Sequence, residues 1–531
     1  METKRPDLPV NSDMNLSAFG QPGLPPAWSS SVKEAVGTAY SVASRVWFTL
    51  ADGILTETFY PTIDHPQIRD FQFLVSDGES FFHEEKRDML TEMVAIEDHT
   101  LGYRVTNRDP GGRYSLIKQV ICDPHQPCVL MHTRFEIAPE WKGRLNLYAL
   151  LNPHIRGSGW SNSARRAETS GKTILLCWQE RIHLAMAASN GFVKTSCGYV
   201  GKSDGWQDLH DNFQMDWEFE RAEKGNIAMI AEIDLSSTSE FTLGLAFGDG
   251  PHAAISTLLE ALSTTFDKHL ARFTEQWHRV CCNILDLDGH AGDGGHLYRL
   301  SHNVLLAHED KTYAGAFVAS ASIPWGEVKG DEDIGGYHLV WTRDMVNTAT
   351  ALLACGNIET PRRALVYLAS SQQPDGGFPQ NFWIDGTPYW TGIQLDEVAY
   401  PVVLAWRLWK ADALALFDPY PMVRSAAGYL IRQGPVTQQE RWEENSGYSP
   451  STLAISIAAL ICAADFARSR SDEEAALFME EYADFLESHI ELWTVTNQGT
   501  LVEGITDHYI RIHPVAIADH APEENPNTGS I

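Results

Sequence analysis

Apolar and polar positions alternate in short runs along the first half of the chain, and turn signals at Asp77-Gly78, Asp109-Pro110-Gly111-Gly112 and Asn190-Gly191 punctuate them. Runs at Ala43–Leu50, Gly53–Tyr60, Asp70–Val75, Thr100–Thr106, Tyr114–Ile121 and Cys128–Ile137 read as strands. So do Gly143–Leu151, Lys172–Gln179, Ile182–Ala188 and Ile227–Leu235, with Phe241–Phe247 closing the set. About a dozen strands with no long helical period between them predict a large antiparallel sandwich over residues 1–252.

From about Ala253 the period changes to that of a helix. Ala253–Cys282 bridges the halves, within a helical linker over 253–295. Helices are then expected near His296–Glu309, Arg343–Cys355, Thr360–Gln372, Leu395–Trp409, Asp418–Gln433, Pro450–Arg468 and Ser471–Thr494. Pro361 and Pro450 fall at helix starts, where a missing N–H costs least, and Gly356 and Gly434 fall where helices end. Helices arriving in pairs suggest a toroid over 296–531. The long Trp-, Gly- and Asp-rich loops between them are the segments expected to carry function.

Composition narrows the class. A chain of 531 residues implies two or three domains, and its 44% hydrophobic and 21% charged residues are ordinary for a folded globular protein. No run approaches the roughly 18 consecutive apolar residues of a membrane span. Met1–Val10 lacks the apolar core of an export signal, so the expected location is the cytoplasm. The net charge of −30 disfavours nucleic acid and anionic membrane surfaces and tolerates a neutral substrate. The eight cysteines form no metal-type array and are expected as free thiols. Sixteen tryptophans suit stacking on sugar rings, although a large core uses them too.

Four loops carry candidate chemistry. In Gly335–Asp344, Arg343 and Asp344 sit at a helix mouth, where a donor fork and an acceptor can bracket sugar hydroxyls or simply pair with each other. Pro374–Trp390 holds Trp383, Tyr389 and Trp390 with amides and Asp385, and could also be a plain turn. Asp396 and Glu397 open a helix, where the alternative reading is that they only complement its dipole. In Arg441–Pro450, Glu443 and Glu444 stand beside Trp442. An indole wall and a second carboxylate both raise a carboxyl's pKa, which suits an acid that protonates a departing glycosidic oxygen; the alternative is an exposed acidic loop.

These strings, Gly336–Asp344, Gly376–Glu397 and Arg441–Ala454, with Asp507–Pro514, Gly53–Asp77 and Gly201–Leu209, resemble the bacterial branch of glycoside hydrolase family 15. That family holds glucoamylase, glucodextranase and some trehalases. The resemblance implies a β-supersandwich followed by an (α/α)6 barrel, and an inverting exo-hydrolase that releases glucose from non-reducing ends of α-glucans. It matches Glu443 to the general acid and Glu444 to the neighbouring substrate-binding carboxylate. Arg343 and Asp344 match the pair that holds the terminal glucose, lined by Trp341 and Trp442. Trp390, Asp396 and Glu397 fall on the walls of the site. Many relatives have Pro where this chain has Thr342, a change expected to alter loop stiffness more than contacts.

A six-pair barrel needs about twelve helices, and the chain from His296 onward has room for about seven or eight. In relatives the catalytic base lies past the segment that ends at Ile531, so the resemblance implies a barrel missing its last helices. A continuation or a second chain would then complete it. The expected substrate is an α-glucan, with α-1,4 ends favoured as the commonest. Glucodextranase or trehalase activity, an inactive glucan-binding remnant and a phosphate-dependent disaccharide phosphorylase are the alternatives. No cofactor is required. Asp286, Asp288 and Asp293 offer calcium a weak site, since the bidentate Glu that closes an EF-hand loop is absent.

Overall fold

The computed structural model describes residues 16–323, 330, 334–500 and 502–515, so the reading made at Met1–Val10 lies outside the described residues. Two compact units divide the chain: Met1–Ala307 with Ser320–His338, and His308–Ala319 with Leu339–Ile531.

Among the described residues, the first unit holds seventeen strands in two antiparallel sheets. One is built from β1 (Ala35–Thr38), β2 (Trp47–Ala51), β3 (Ile54–Phe59), β4 (Pro66–Ser76), β10 (Asn146–Pro153), β16 (Ile227–Ile233) and β14 (Phe192–Tyr199) in that spatial order, with β5 (Phe82–Glu84) on β4. The other runs β15 (Arg221–Gly225), β11 (Asn162–Thr169), β12 (Lys172–Gln179), β13 (Ile182–Ala188), β17 (Glu240–Gly248), β9 (Cys128–Ile137), β8 (Tyr114–Cys122), β7 (Tyr103–Arg108) and β6 (Leu90–Ala95).

Phe73 of the first sheet meets Phe241 of the second edge-on, with ring centroids 5.9 Å apart, and Phe48 meets Tyr103 at 6.4 Å. These rings fill the space between the sheets. Successive side chains on a strand point to opposite faces, so Leu74, Tyr148, Leu150 and Ile230 look the other way. There they pack with Leu209 and Met215 against α2 (Gly205–Asn212), whose first turn Asp204 caps through the amides of Trp206 and Gln207. Both faces of these central strands are therefore covered, which is why they read as continuous apolar runs.

Helix α3 (Pro251–Ser263) lies on β13 and β17, and α4 (Phe266–Cys281) follows it in the same unit. The helical stretch expected over Ala253–Cys282 is broken at Thr264 and Thr265, both extended. Beyond it, the three candidate calcium ligands turn to local tasks. Asp288 pairs with Arg299 at 2.7 Å, Asp293 accepts from the Leu297 amide at 2.8 Å and Asp286 from the Asp288 amide at 3.2 Å. Among the described residues no cluster of three His, Cys, Asp or Glu could hold a metal. The eight cysteines are free, four of them on strands of the sandwich.

After α5 (His296–Ala307), the second unit is helical. It holds α6 (Thr342–Ala354), α7 (Glu359–Ser371), α8 (Leu395–Lys410), α9 (Tyr420–Gln433), α10 (Pro450–Ser469) and α11 (Glu473–Thr494). Alternate helices form a row: α6 packs on α8 and α8 on α10, while α7, α9 and α11 pack against that row from outside. Burial follows the same division. Eleven of sixteen residues of α8 are buried, against six of twenty-two in α11. Helix α10 is long and apolar enough to cross a membrane, but it lies within this row and more than half of its most apolar window is buried. Packing among helices accounts for its composition.

Candidate active site

The candidate residues gather where the inner helices begin. The N-termini of α6 and α8 and the loop leading into α10 are brought together, and the partial positive charge of helix starts favours the carboxylates placed there. At the start of α8, buried Glu397 accepts from the backbone amide of Arg343, at the start of α6, at 2.7 Å. The hydroxyl of buried Thr342 lies 2.6 Å from the carbonyl of Glu397 and also contacts its carboxyl. Thr342 thus ties α6 to α8, which corrects the expectation that it acts on stiffness more than on contacts.

Arg343 lies among three carboxylates. Its Nη1 donates to Asp396 at 2.9 Å and to the side-chain oxygen of Gln394 at 3.0 Å, and stands 2.8 Å from Glu397. Burial pulls the guanidinium pKa down, but Glu397, Asp396 and Asp344 together outweigh that and hold it up. Three carboxylates beside one cation cannot all ionise cheaply in a buried setting. Glu397 is the one that gives way: burial lifts its pKa to about 8, Asp396 adds to the rise and Arg343 opposes it. A single Thr342 hydroxyl hydrogen cannot serve both contacts with Glu397, and a protonated Glu397 can supply the second hydrogen itself. Asp344 is the exposed member of the group, yet desolvation by the surrounding walls raises its carboxyl against the pull of Arg343.

Glu443 completes the site from the loop before α10. Its carboxyl accepts the indole N–H of Trp341 at 3.2 Å and the side-chain amide of Gln394 at 3.4 Å, so Gln394 bridges Glu443 and Arg343. Glu443 is half-buried and its backbone lies in the left-handed region, φ 66°, a conformation that costs a side-chain-bearing residue about 1–2 kcal/mol. The loop is strapped from the far side. Gly447–Tyr448 pairs with His513–Pro514, and Ser446 is bonded to Val515. Gly447 approaches so closely that a Cβ there would lie 2.0 Å from the His513 carbonyl oxygen.

Other expected residues are placed differently. The indole at Glu443 belongs to Trp341, 5% exposed, whereas Trp442 is 62% exposed and walls nothing off in this structure. Glu444 turns outward to pair with Arg511 at 2.7 Å. Trp390 sits on a two-stranded hairpin, its amide bonded to the side chain of buried Asn381 at 2.9 Å and its ring against Tyr389. Arg343 does form an ion pair, but with Asp396 on α8.

Residues 18–281 match the family described as glucodextranase, domain N, and residues 294–525 match glycosyl hydrolases family 15. A glucoamylase of Clostridium sp. strain G0005 is 39% identical over 498 residues, covering 94% of this chain and 69% of that protein. The chain belongs to glycosyl hydrolase family 15. A crystal structure of a bacterial glucoamylase complexed with acarbose superposes with a TM-score of 0.89 at 38% identity, over 94% of this chain and 73% of that one. An inverting family 92 mannosidase from Bacteroides thetaiotaomicron shares the fold at 12% identity and a TM-score of 0.51, over 86% of this chain and 62% of that one.

Within this family 15 chain, two residues of the site carried no sequence signal of their own. Gln394 is one amide among many, and its bridging position exists only once α6 and the loop before α10 meet. Glu440, just ahead of the Arg441–Pro450 string, is buried with its carboxyl turned into the loop. An acidic residue beside two others reads as one more surface charge.

Proposed function

We propose that the chain is an exo-acting glycoside hydrolase of the glucoamylase type, taking glucose from the non-reducing ends of α-glucans with inversion at the anomeric carbon. The Gln394 bridge between Glu443 and Arg343 carries this reading, because it places a carboxyl able to deliver a proton beside a charged fork able to hold a terminal sugar. Arg343 and Asp344 grip the hydroxyls of that sugar, while Asp396 and Glu397 fix the Arg343 guanidinium. Trp341 orients Glu443, which acts as the general acid and gives a proton to the leaving glycosidic oxygen. The glucoamylases matched above support the substrate class.

Inversion asks for a second carboxyl about 6.5–9.5 Å from the first; it takes a proton from the water between them, whose oxygen bonds to the anomeric carbon as the glycosidic bond breaks. Proton NMR of the first glucose released from maltotriose tests it. The β-anomer should appear before mutarotation; the α-anomer would mean retention. Release from maltose, isomaltose and trehalose ranks the linkages. No glucose from any of them would contradict the proposed activity.

A further inference from the structure

Glu440 makes contacts that the proposed reaction does not itself require. Its side chain is 1% exposed, and its oxygens face backbone amides of the loop that carries Glu443: Trp442 N–H at 2.9 Å and Glu444 N–H at 3.4 Å. Its own carbonyl accepts from the amide of Glu443 at 2.8 Å, and its amide donates to the carbonyl of Asn445 at 3.1 Å. One residue thus engages the backbone on both sides of Glu443 and at Glu443 itself. The residue so enclosed holds a left-handed backbone, φ 66°, which a side-chain-bearing residue keeps only where its surroundings impose it.

We propose that Glu440 is a positioning residue for Glu443: its buried carboxylate gathers the amides of Trp442 and Glu444, holds Glu443 in that conformation and so keeps the Glu443 carboxyl on the Trp341 indole N–H. This rests on the assignment of Glu443 as the acid. Both carboxylate oxygens are needed. A glutamine in the same place offers one oxygen and turns an N–H group toward an N–H group, so the loop loses one of its two anchors.

Glu440→Gln in the full chain tests it. Displacing a reacting group by about 1 Å costs on the order of a hundredfold in rate, so kcat for maltotriose should fall by at least about tenfold with KM within about threefold. The thermal midpoint should stay near that of the parent. Independently of turnover, the Trp341 indole N–H resonance, assigned by its loss in Trp341→Phe, should move in Glu440→Gln. Parent-like kcat with an unmoved resonance overturns the proposal. If Glu440→Gln does not fold, Glu440→Asp keeps the charge but draws both oxygens back by one methylene, and the same two outcomes apply. Glu443→Gln, run alongside, separates the two ideas. If it retains full turnover, the acid assignment fails. If it is inactive while Glu440→Gln matches the parent, only the positioning role fails.

Discussion

At Arg343 one cation answers for three carboxylates, and that imbalance sets what single residues should do. Arg343→Ala removes a charge-assisted donor, and maltose binding followed by calorimetry should weaken by about 1–3 kcal/mol; unchanged affinity would take Arg343 out of the sugar site. Glu397 makes a pH-dependent contribution whose sign follows from its raised pKa. Below about 4.5 the folded and unfolded chains both hold its proton, and between there and about 8 only the folded chain does. By linkage this contribution to stability is complete at acid pH and is lost as pH rises through that window. Glu397→Gln abolishes the titration, so its denaturant stability relative to the parent should improve steadily from pH 4.5 to 8. A constant difference would mean that Glu397 is ionised throughout. Glu397 was named from sequence, but its role was not. Nothing in the dipeptide Asp396-Glu397 says that one carboxyl is bonded across to the backbone of Arg343.

The elements themselves were largely legible where one face or both meet a core. Strands β9, β12 and β13 begin and end where their apolar runs do, and α6 to α11 follow the helical period closely. Strands β1 and β14 escaped although much of each is buried, as did β5 and β11, while for other missed strands the reason is physical. Strands β6 and β15 are edge strands; Leu90–Ala95 is largely exposed, and Arg221–Gly225 is rich in charge and buries only Ala222 and Gly225, so neither leaves an apolar pattern. The two-residue strands at Gly447–Tyr448 and His513–Pro514 are too short to show any period. They matter all the same, because they brace the loop of Glu443. Gly447 is the position where that brace tolerates no side chain, with φ 155° and the His513 carbonyl in its way. Gly447→Ala should cost about 1–3 kcal/mol in denaturant unfolding and reduce glucose release. Parent-like stability and turnover would show that the strap can yield.

On the scale of the whole chain, the switch from a two-residue to a helical period revealed a sandwich followed by a helical half. The family resemblance named the pairing, and the two sheets followed by the helical row bear it out. The convergence of the site was not legible in the same way. Residues 341–344, 394–397 and 440–443 lie about fifty positions apart in sequence and meet because alternate helices form the inner row and present their N-termini together. That arrangement gives Glu443 its partners, and the functional account depends on its proton. Glucose release from maltotriose by Glu443→Gln, set beside calorimetric binding of the same sugar, tests this most directly. The account predicts turnover lost by about a hundredfold or more with affinity nearly unchanged, since the amide keeps the shape and cannot give up a proton. Full turnover in that variant would contradict it.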